Sequence, residues 1–537
     1  MESSMFQGIS GTYRNINFMF NEKCVFITGA TGFLGKVLLE KLIRSCPTLS
    51  KVLVLIRRNE KYTSEERLQK LFESNVFDRI KSECPDIVNK VHAIDGDVTE
   101  VDFALNAEDK NTLLSDVHYV FHCAASVRFE NNSRNTLKIN FLGVKNMLNL
   151  CHEMKNLSAV IHVSTAYSFC NQGVISEQLY DEEIKVCDLE KTIEEFDDKS
   201  LDMACQKMAK SRPSLYQYSK AMAEIYIAKN CGELPVVIVR PSIITAAAKE
   251  PFPGWIDNYN GPSGFIALSS KGLIKTLQVN PTVNADWVPV DHVANTLIVA
   301  AYHKAMVDQY PKAFLLPLFK KSDVPIVNCV CPHANAIKWS SVVQICIPLL
   351  RKYPSMHVYR VPGGVVTSSK CLHVLCRYFY HYLPAAILDA AVFLMWKERR
   401  FVRNYQRIHK VLNFLQHYTM NEFRFKTGNM SILIESVHDT DRSTFPIDQN
   451  LLNWRQYLED YVLGVRRFFL KEDDSSLLQA QKRLARVQML EFWGKVTPVA
   501  LILLLVLKRR NGIPISLALA KFGAIIWKPF DKISWRV

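Results

Sequence analysis

Short apolar, β-rich runs that alternate with helical spacing predict a doubly wound α/β domain built on a parallel sheet. Two further observations extend that picture. The alternation fades after about Asp291 and gives way to a basic, helical pattern, which predicts a smaller, mostly helical C-terminal domain. The final stretch turns strongly apolar, which predicts a membrane-associated segment at the C-terminus. At 537 residues the chain exceeds a single hydrophobic core.

The strands are read in order as Cys24–Thr28, Lys51–Ile56, Val91–Asp95, Tyr119–Cys123, Ala159–Ser164 and Val236–Arg240. They are short and apolar on both faces, as strands buried in a parallel sheet must be. Between them, segments such as Phe33–Cys46 and Ser133–Cys151 carry i, i+3, i+4 apolar spacing. The domain is bounded as 15–330, the helical domain as 360–472 and the membrane-associated segment as 490–530.

After the first strand, Gly29, Gly32 and Gly35 form a G-x-x-G-x-x-G turn, the opening of a Rossmann-type nucleotide-binding unit. The first glycine permits the tight turn, the second lets a pyrophosphate approach bare backbone, and the third lets helix and strand pack closely. Thr31, Phe33 and Leu34 belong to the same turn and are assigned to the cofactor with it. Arg57 and Arg58 end the second strand, where an NAD site usually carries an acid; guanidinium groups there favour the 2′-phosphate of NADPH. Asp97 and Val98 after the third strand, and Ala124 and Ala125 after the fourth, are placed to line the adenine and ribose side.

In SLYQYSKAMAEIYIAKN, Tyr216 and Lys220 stand at i and i+4 and share a helix face. An ammonium beside a phenol is expected to lower its pKa and make Tyr216 a usable acid. Tyr218, at i−2 from the lysine, faces away and is read as packing. Ser164 and Thr165 lie at the end of the fifth strand, where either hydroxyl could bind a substrate carbonyl oxygen.

The blocks TGATGFLGKVLLEKLIRSCP, FHCAASVRF, IHVSTAY, YSKAMAE, VRPSII, KEPFPGWIDNYNGPSG and ADWVPVD resemble those of the alcohol-forming fatty acyl-CoA reductases, within the extended short-chain dehydrogenases. The resemblance runs from about Thr12 to Ala301 and resumes more weakly from Tyr378 to Lys471. The chain departs from the family's usual threonine around Tyr218-Ser219. The resemblance implies that Tyr216 is the proton donor, that Lys220 holds it and the nicotinamide ribose, and that Thr165, with Ser164 second, is the hydroxyl partner. It also implies that Pro241 and Ser242 border the nicotinamide. The implied reaction is reduction of a long-chain acyl-CoA by NADPH to an aldehyde and then to a fatty alcohol. Another membrane-bound short-chain dehydrogenase acting on a sterol, or a silent scaffold on the same fold, are the competing readings.

The balance of 66 basic against 52 acidic residues gives a charge of +14, which suits a polyanionic substrate or anionic lipid. No zinc-ligand spacing and no RNP-type motif is present, so neither a metal nor a nucleic acid is expected. The fourteen cysteines are scattered, and the N-terminus has no signal-peptide pattern; both suit a cytosol-facing, reducing location on the endoplasmic reticulum or peroxisome. Val496–Leu507 is nearly free of polar groups and is followed by Lys508, Arg509 and Arg510. From Phe492 to Trp527 the readings are one short span or a re-entrant hairpin, against a buried core helix. Leu383–Trp396 is also apolar and is read as a core helix or a patch lying on a membrane. The sequence sets no oligomeric state.

Overall fold

The computed structural model describes residues 15–127, 133–180, 186–209, 212–309, 324–395, 398 and 400–511. Its centre is a parallel sheet of β1 (Cys24–Thr28), β2 (Lys51–Ile56), β3 (Val91–Asp95), β4 (Val117–His122), β5 (Ala159–Val163), β6 (Val236–Pro241) and β7 (Ile326–Cys329), in the order β7-β6-β5-β4-β1-β2-β3. The order reverses between β1 and β4, which opens a crevice beyond the carboxyl ends of the central strands.

Alternate side chains of each strand feed two cores. Val25 and Ile27 of β1 pack with the helices Phe33–Ser45 and Val290–Gln309. Cys24 and Phe26 face the other way, toward the helices Gly143–Glu153 and Leu215–Asn230. Burial on both faces accounts for the unbroken apolar runs. The thirteen cysteines whose side chains are described are all free.

The structure departs from the sequence reading at several elements, and the fourth strand, read as Tyr119–Cys123, runs from Val117 to His122. The α/β pattern does not end at Asp291, because β7 adds a seventh strand beside β6. Ser133–Cys151 is not one regular α-helix: Lys138–Leu142 is a π-helical turn. Buried Asn140 sits in that turn, donating to the Ser126 carbonyl and the Ser219 hydroxyl and accepting from the Ser126 N–H. Finally, the core-helix reading of Leu383–Trp396 is overturned, since Leu383, Ile387, Leu388 and Leu394 of the Leu383–Leu394 helix are exposed. Pro384 occupies its first turn, where a missing N–H costs nothing. Asp389 is buried because it caps the next helix, accepting from the N–H groups of Arg400, Phe401 and Val402. Trp396 lies outside the described residues.

The helical C-terminal part is not set apart. Leu412, Tyr457, Tyr461 and Val465 share a core with Ala246, Trp287 and Leu350. Leu433 and Phe445 join the core that packs on the sheet. The final described helix, Leu477–Asn511, enters the expected 490–530 segment; residues 512–537 lie outside the described residues. Among the described residues, no helix is long and apolar enough to cross a membrane.

Candidate active site

A cleft of about 580 Å³ opens at the carboxyl ends of the central strands. One wall is the first strand-to-helix turn, with Gly29, Thr31, Gly32, Phe33, Leu34 and Gly35. Here the glycines are required. Gly29 has φ +76°, and a Cβ on it would lie 2.6 Å from the Ala124 nitrogen. A Cβ on Gly35 would lie 2.2 Å from the Gly29 carbonyl oxygen. Gly32 caps the helix with no side-chain partner, so the first-turn N–H groups face the cleft and suit an anion.

The opposite wall carries Ser164, Thr165, Tyr216, Lys220, Pro241 and Ser242. Ser214 caps the Leu215–Asn230 helix by accepting from the Tyr216 N–H, and the helix presents Tyr216 and Lys220 one turn apart. The Tyr216 ring is half-buried, yet the protein packed around its hydroxyl pushes the phenol up to about 12, offset by a hydrogen bond with Thr165. The expected lowering by Lys220 is therefore not found. The Lys220 ammonium instead donates to the Val163 carbonyl at 2.7 Å, and burial pulls its pKa down to about 8, against the opposing pull of Cys123 and Glu224.

The two candidate hydroxyls separate clearly. Thr165 is on the phenol. Ser164 borders the cleft, but its hydroxyl donates to Glu224 and contacts the Ser168 hydroxyl at 3.0 Å. Glu224 is wholly buried and takes Arg240 Nε at 3.0 and 3.1 Å, while Arg240 also donates to the carbonyls of Ser176 and Gln178. Such a desolvated pair is costly to break from one side. It braces the end of β6 against the helix that carries Lys220. Tyr218 is buried in a separate cluster with Phe141 and Leu201, as the packing reading requires.

Of the other sequence candidates, Arg57, Arg58, Asp97, Val98 and Ala124 do not line the cleft. Arg57 and Arg58 are exposed at the end of β2; Arg57 pairs with Asp97 at 3.2 Å and Arg58 with Asp95 at 3.5 Å. Val98 is buried with its side chain under Gly143. Ala125 lines the cleft, while the Ala124 N–H reaches Thr28 Oγ1.

Sequence reasoning missed the far side of the cleft. Phe414, Leu415 and Tyr418 come from the Phe401–Met420 helix, and the Gln217 amide donates to the Tyr418 hydroxyl. Asp257 to Pro262 form another edge, held by a Lys36–Asp257 ion pair of 2.5 Å. The GWIDNYN block was the available signal for that edge; nothing local marked Phe414 or Tyr418. Beneath the floor, His122 and His162 lie side by side on β4 and β5 with ring centroids 5.6 Å apart. Burial, with the Lys220 charge, holds His122 down at about 3 and His162 well below the usual imidazole range, so both stay neutral.

The residues fit a dinucleotide. The glycine turn leaves a cradle that any Cβ at Gly29 or Gly35 would fill, and the buried Ser242 hydroxyl, on the opposite wall just after β6, has no protein partner.

Two family models, both described as "Male sterility protein", match residues 27–297 and 380–472. The chain is 35% identical over 486 residues to fatty acyl-CoA reductase 1 of Mus musculus, covering 90% of this chain and 92% of that protein. It is 33% identical over 473 residues to the mouse fatty acyl-CoA reductase 2, covering 88% and 90%. Among solved structures, it is similar to the terminal R domain from the myxalamid PKS-NRPS pathway, with a TM-score of 0.54 at 17% identity, covering 84% of this chain and 92% of that one. A nonribosomal peptide synthetase R domain from Mycobacterium tuberculosis gives 0.54 at 18%, covering 83% and 93%. These two likenesses speak to the fold alone.

Proposed function

The chain belongs to the fatty acyl-CoA reductase family, within the extended short-chain dehydrogenases, and from that premise we propose how its own residues carry out the reduction of a long-chain acyl-CoA to a fatty alcohol. The single observation that most supports this reading is the Thr165–Tyr216–Lys220 arrangement on a cleft whose other wall is the glycine turn.

The turn from Gly29 to Gly35 would hold the pyrophosphate, Pro241 and Ser242 would border the nicotinamide, and Lys220 would reach the adjoining ribose. We assign the cofactor as NADPH, on Arg57 and Arg58 at the end of β2. When bound, it supplies hydride to the thioester carbonyl carbon. Thr165 and Tyr216 donate to the carbonyl oxygen as negative charge develops there. A phenol held near 12 is protonated at neutral pH, which is the state a donor needs. Lys220, below its pKa of about 8, adds positive charge one helical turn away. Tyr216 passes its proton to the oxygen, the hemithioacetal loses CoA as the thiol, and an aldehyde remains in the cleft. Tyr216, reprotonated from solvent after the first step, again donates its proton to the oxygen as a second NADPH supplies hydride to the aldehyde, giving the alcohol. Phe414, Leu415 and Tyr418 close the cleft on the helical side and exclude water from the reacting carbonyl.

We place the protein on a membrane through the 490–530 segment, with the catalytic domain toward the cytosol at the endoplasmic reticulum or peroxisome. The support is the apolar run Val496–Leu507 ending in Lys508, Arg509 and Arg510. The direct test is to incubate the purified protein with a panel of acyl-CoAs and either NADPH or NADH, then analyse the lipids. Alcohol formed from long chains with NADPH supports the reading. Free aldehyde as the end product, or no turnover of any acyl-CoA, would overturn it.

A further inference from the structure

The Lys370–Arg377 helix, the π-helical turn Tyr378–Tyr382 and the Leu383–Leu394 helix form one continuous ridge. Leu375, Phe379, Leu383 and Ile387 recur at every fourth position along it, so they share a face. All are open to solvent, at 51%, 65%, 51% and 61%, and Leu394 at the end of the ridge is 78% exposed. A contiguous apolar face of this kind marks an interaction surface. The stretch has one carboxylate, Asp389, and it is turned inward to cap the next helix. The face is therefore free of acid, while exposed Arg403, Arg407 and Lys410 project from the Phe401–Met420 helix that packs beside it.

We propose that this ridge is a membrane-docking surface that lies in the headgroup region of an anionic lipid bilayer, separate from the C-terminal segment. Two observations choose lipid over a second copy of the chain. An apolar face flanked by the exposed Arg403, Arg407 and Lys410, with the exposed Glu398 paired to Arg400, suits anionic headgroups, whereas pairing it with its own copy would set those like charges against each other. The ridge also adjoins the helix that runs on toward the apolar C-terminus. Arg360 donates to the Tyr380 carbonyl, and its neighbour Val361 donates to Glu491. Beside Glu491, Met489, Leu490 and Phe492 are exposed as well. The two apolar surfaces thus meet on one side of the molecule. The same arrangement orients the cleft, because the Phe401–Met420 helix starts at the ridge and ends at Phe414, Leu415 and Tyr418 on the cleft wall.

The test uses the full chain with its exposed thiols, Cys84 and Cys371, changed to serine. A polarity-sensitive fluorophore is attached at Ile387→Cys, at Leu394→Cys or, as a control, at Val101→Cys. Val101 follows β3, the sheet edge opposite β7, and is 81% exposed. Vesicles of phosphatidylcholine containing phosphatidylserine should shift the emission at 387 and 394 to the blue and leave 101 unchanged. The triple change Arg403→Ala, Arg407→Ala, Lys410→Ala should weaken the 387 and 394 response to these vesicles at least roughly tenfold. Labels at 387 and 394 that stay in water would overturn the proposal. So would a blue shift that needs no vesicles and grows with protein concentration, since that would assign the face to a second copy.

Discussion

Replacing Lys220 with methionine should make the cofactor-free protein more stable at neutral pH while removing its activity. Lys220 is 1% exposed, and burial lowers its pKa from 10.5 to about 8. The folded state therefore binds this proton less well than the unfolded chain does. Keeping the ammonium buried costs about 3 kcal/mol, because a tenfold loss of proton affinity is worth about 1.4 kcal/mol. That cost is present in full below pH 8 and disappears as pH rises toward 10.5. Methionine avoids it but leaves the Val163 carbonyl without its donor at 2.7 Å, a loss of about 1 kcal/mol. The variant should thus be more stable than the parent by about 2 kcal/mol at pH 7, and less stable by about 1 kcal/mol as pH nears 10.5. Thermal unfolding followed by circular dichroism across that range reads the crossover directly. A variant that is less stable than the parent by the same margin at pH 7 and at pH 10 would refute the claim that Lys220 is held at a cost for function.

Tyr216→Phe should abolish reduction yet leave cofactor binding intact by fluorescence titration, whereas Tyr218→Phe, in its separate cluster, should keep most activity. Changing Arg57 and Arg58 to alanine should weaken NADPH binding by about 1.5 kcal/mol more than NADH binding; this is the low end for charge-assisted bonds because both are exposed and already paired with Asp97 and Asp95. Equal affinity of the parent for both cofactors, measured by calorimetry, would remove that assignment. Deleting residues from Phe492 onward should free much of the protein from membranes without loss of NADPH binding, and should lower activity on long acyl-CoAs more than on short ones; some protein should stay bound through the exposed ridge.

The parallel sheet could be read from the chain because its strands are apolar on both faces and each is punctuated by a helix. β7 escaped because it is only four residues long, includes Asn328, and follows a stretch with no preceding alternation. The glycine turn and the Tyr216/Lys220 pair were legible because their spacing is local. What the spacing could not supply is direction. It placed Ser164 and Thr165 equally, and only the buried Glu224–Arg240 pair shows that Ser164 is turned inward. Nor could it show that the Lys220 ammonium points at a backbone carbonyl rather than at the phenol. Tyr418 meets Gln217 across 201 residues of chain, a contact with no local trace.

The GWIDNYN block, one of those that carry the family resemblance in the sequence, has a physical reason visible at Gly254. Its φ is +74°, and a Cβ there would sit 1.9 Å from the Asp460 carbonyl oxygen. Facing it, a Cβ on Gly464 would sit 1.7 Å from the Gly254 carbonyl oxygen. The loop and the Trp454–Gly464 helix thus meet backbone to backbone, a contact that only glycine on both sides allows. Three residues on, Asp257 pairs with Lys36 of the glycine-turn helix, and Asn258 to Pro262 edge the cleft. The block therefore ties the helical region to the cofactor wall through one loop. Gly254→Ala adds backbone strain of about 1–2 kcal/mol to a clash with main chain that cannot swing aside, so the total loss should be on the order of 3 kcal/mol or more. If the loop transmits that loss to the cleft, the variant should bind NADPH more weakly and turn over acyl-CoA slowly even at temperatures where it remains folded. Gly173→Ala, with nothing within 4 Å of the added carbon, serves as the control and should change neither. A Gly254→Ala protein that melts with the parent and keeps its NADPH affinity would show that the block does not couple the two regions.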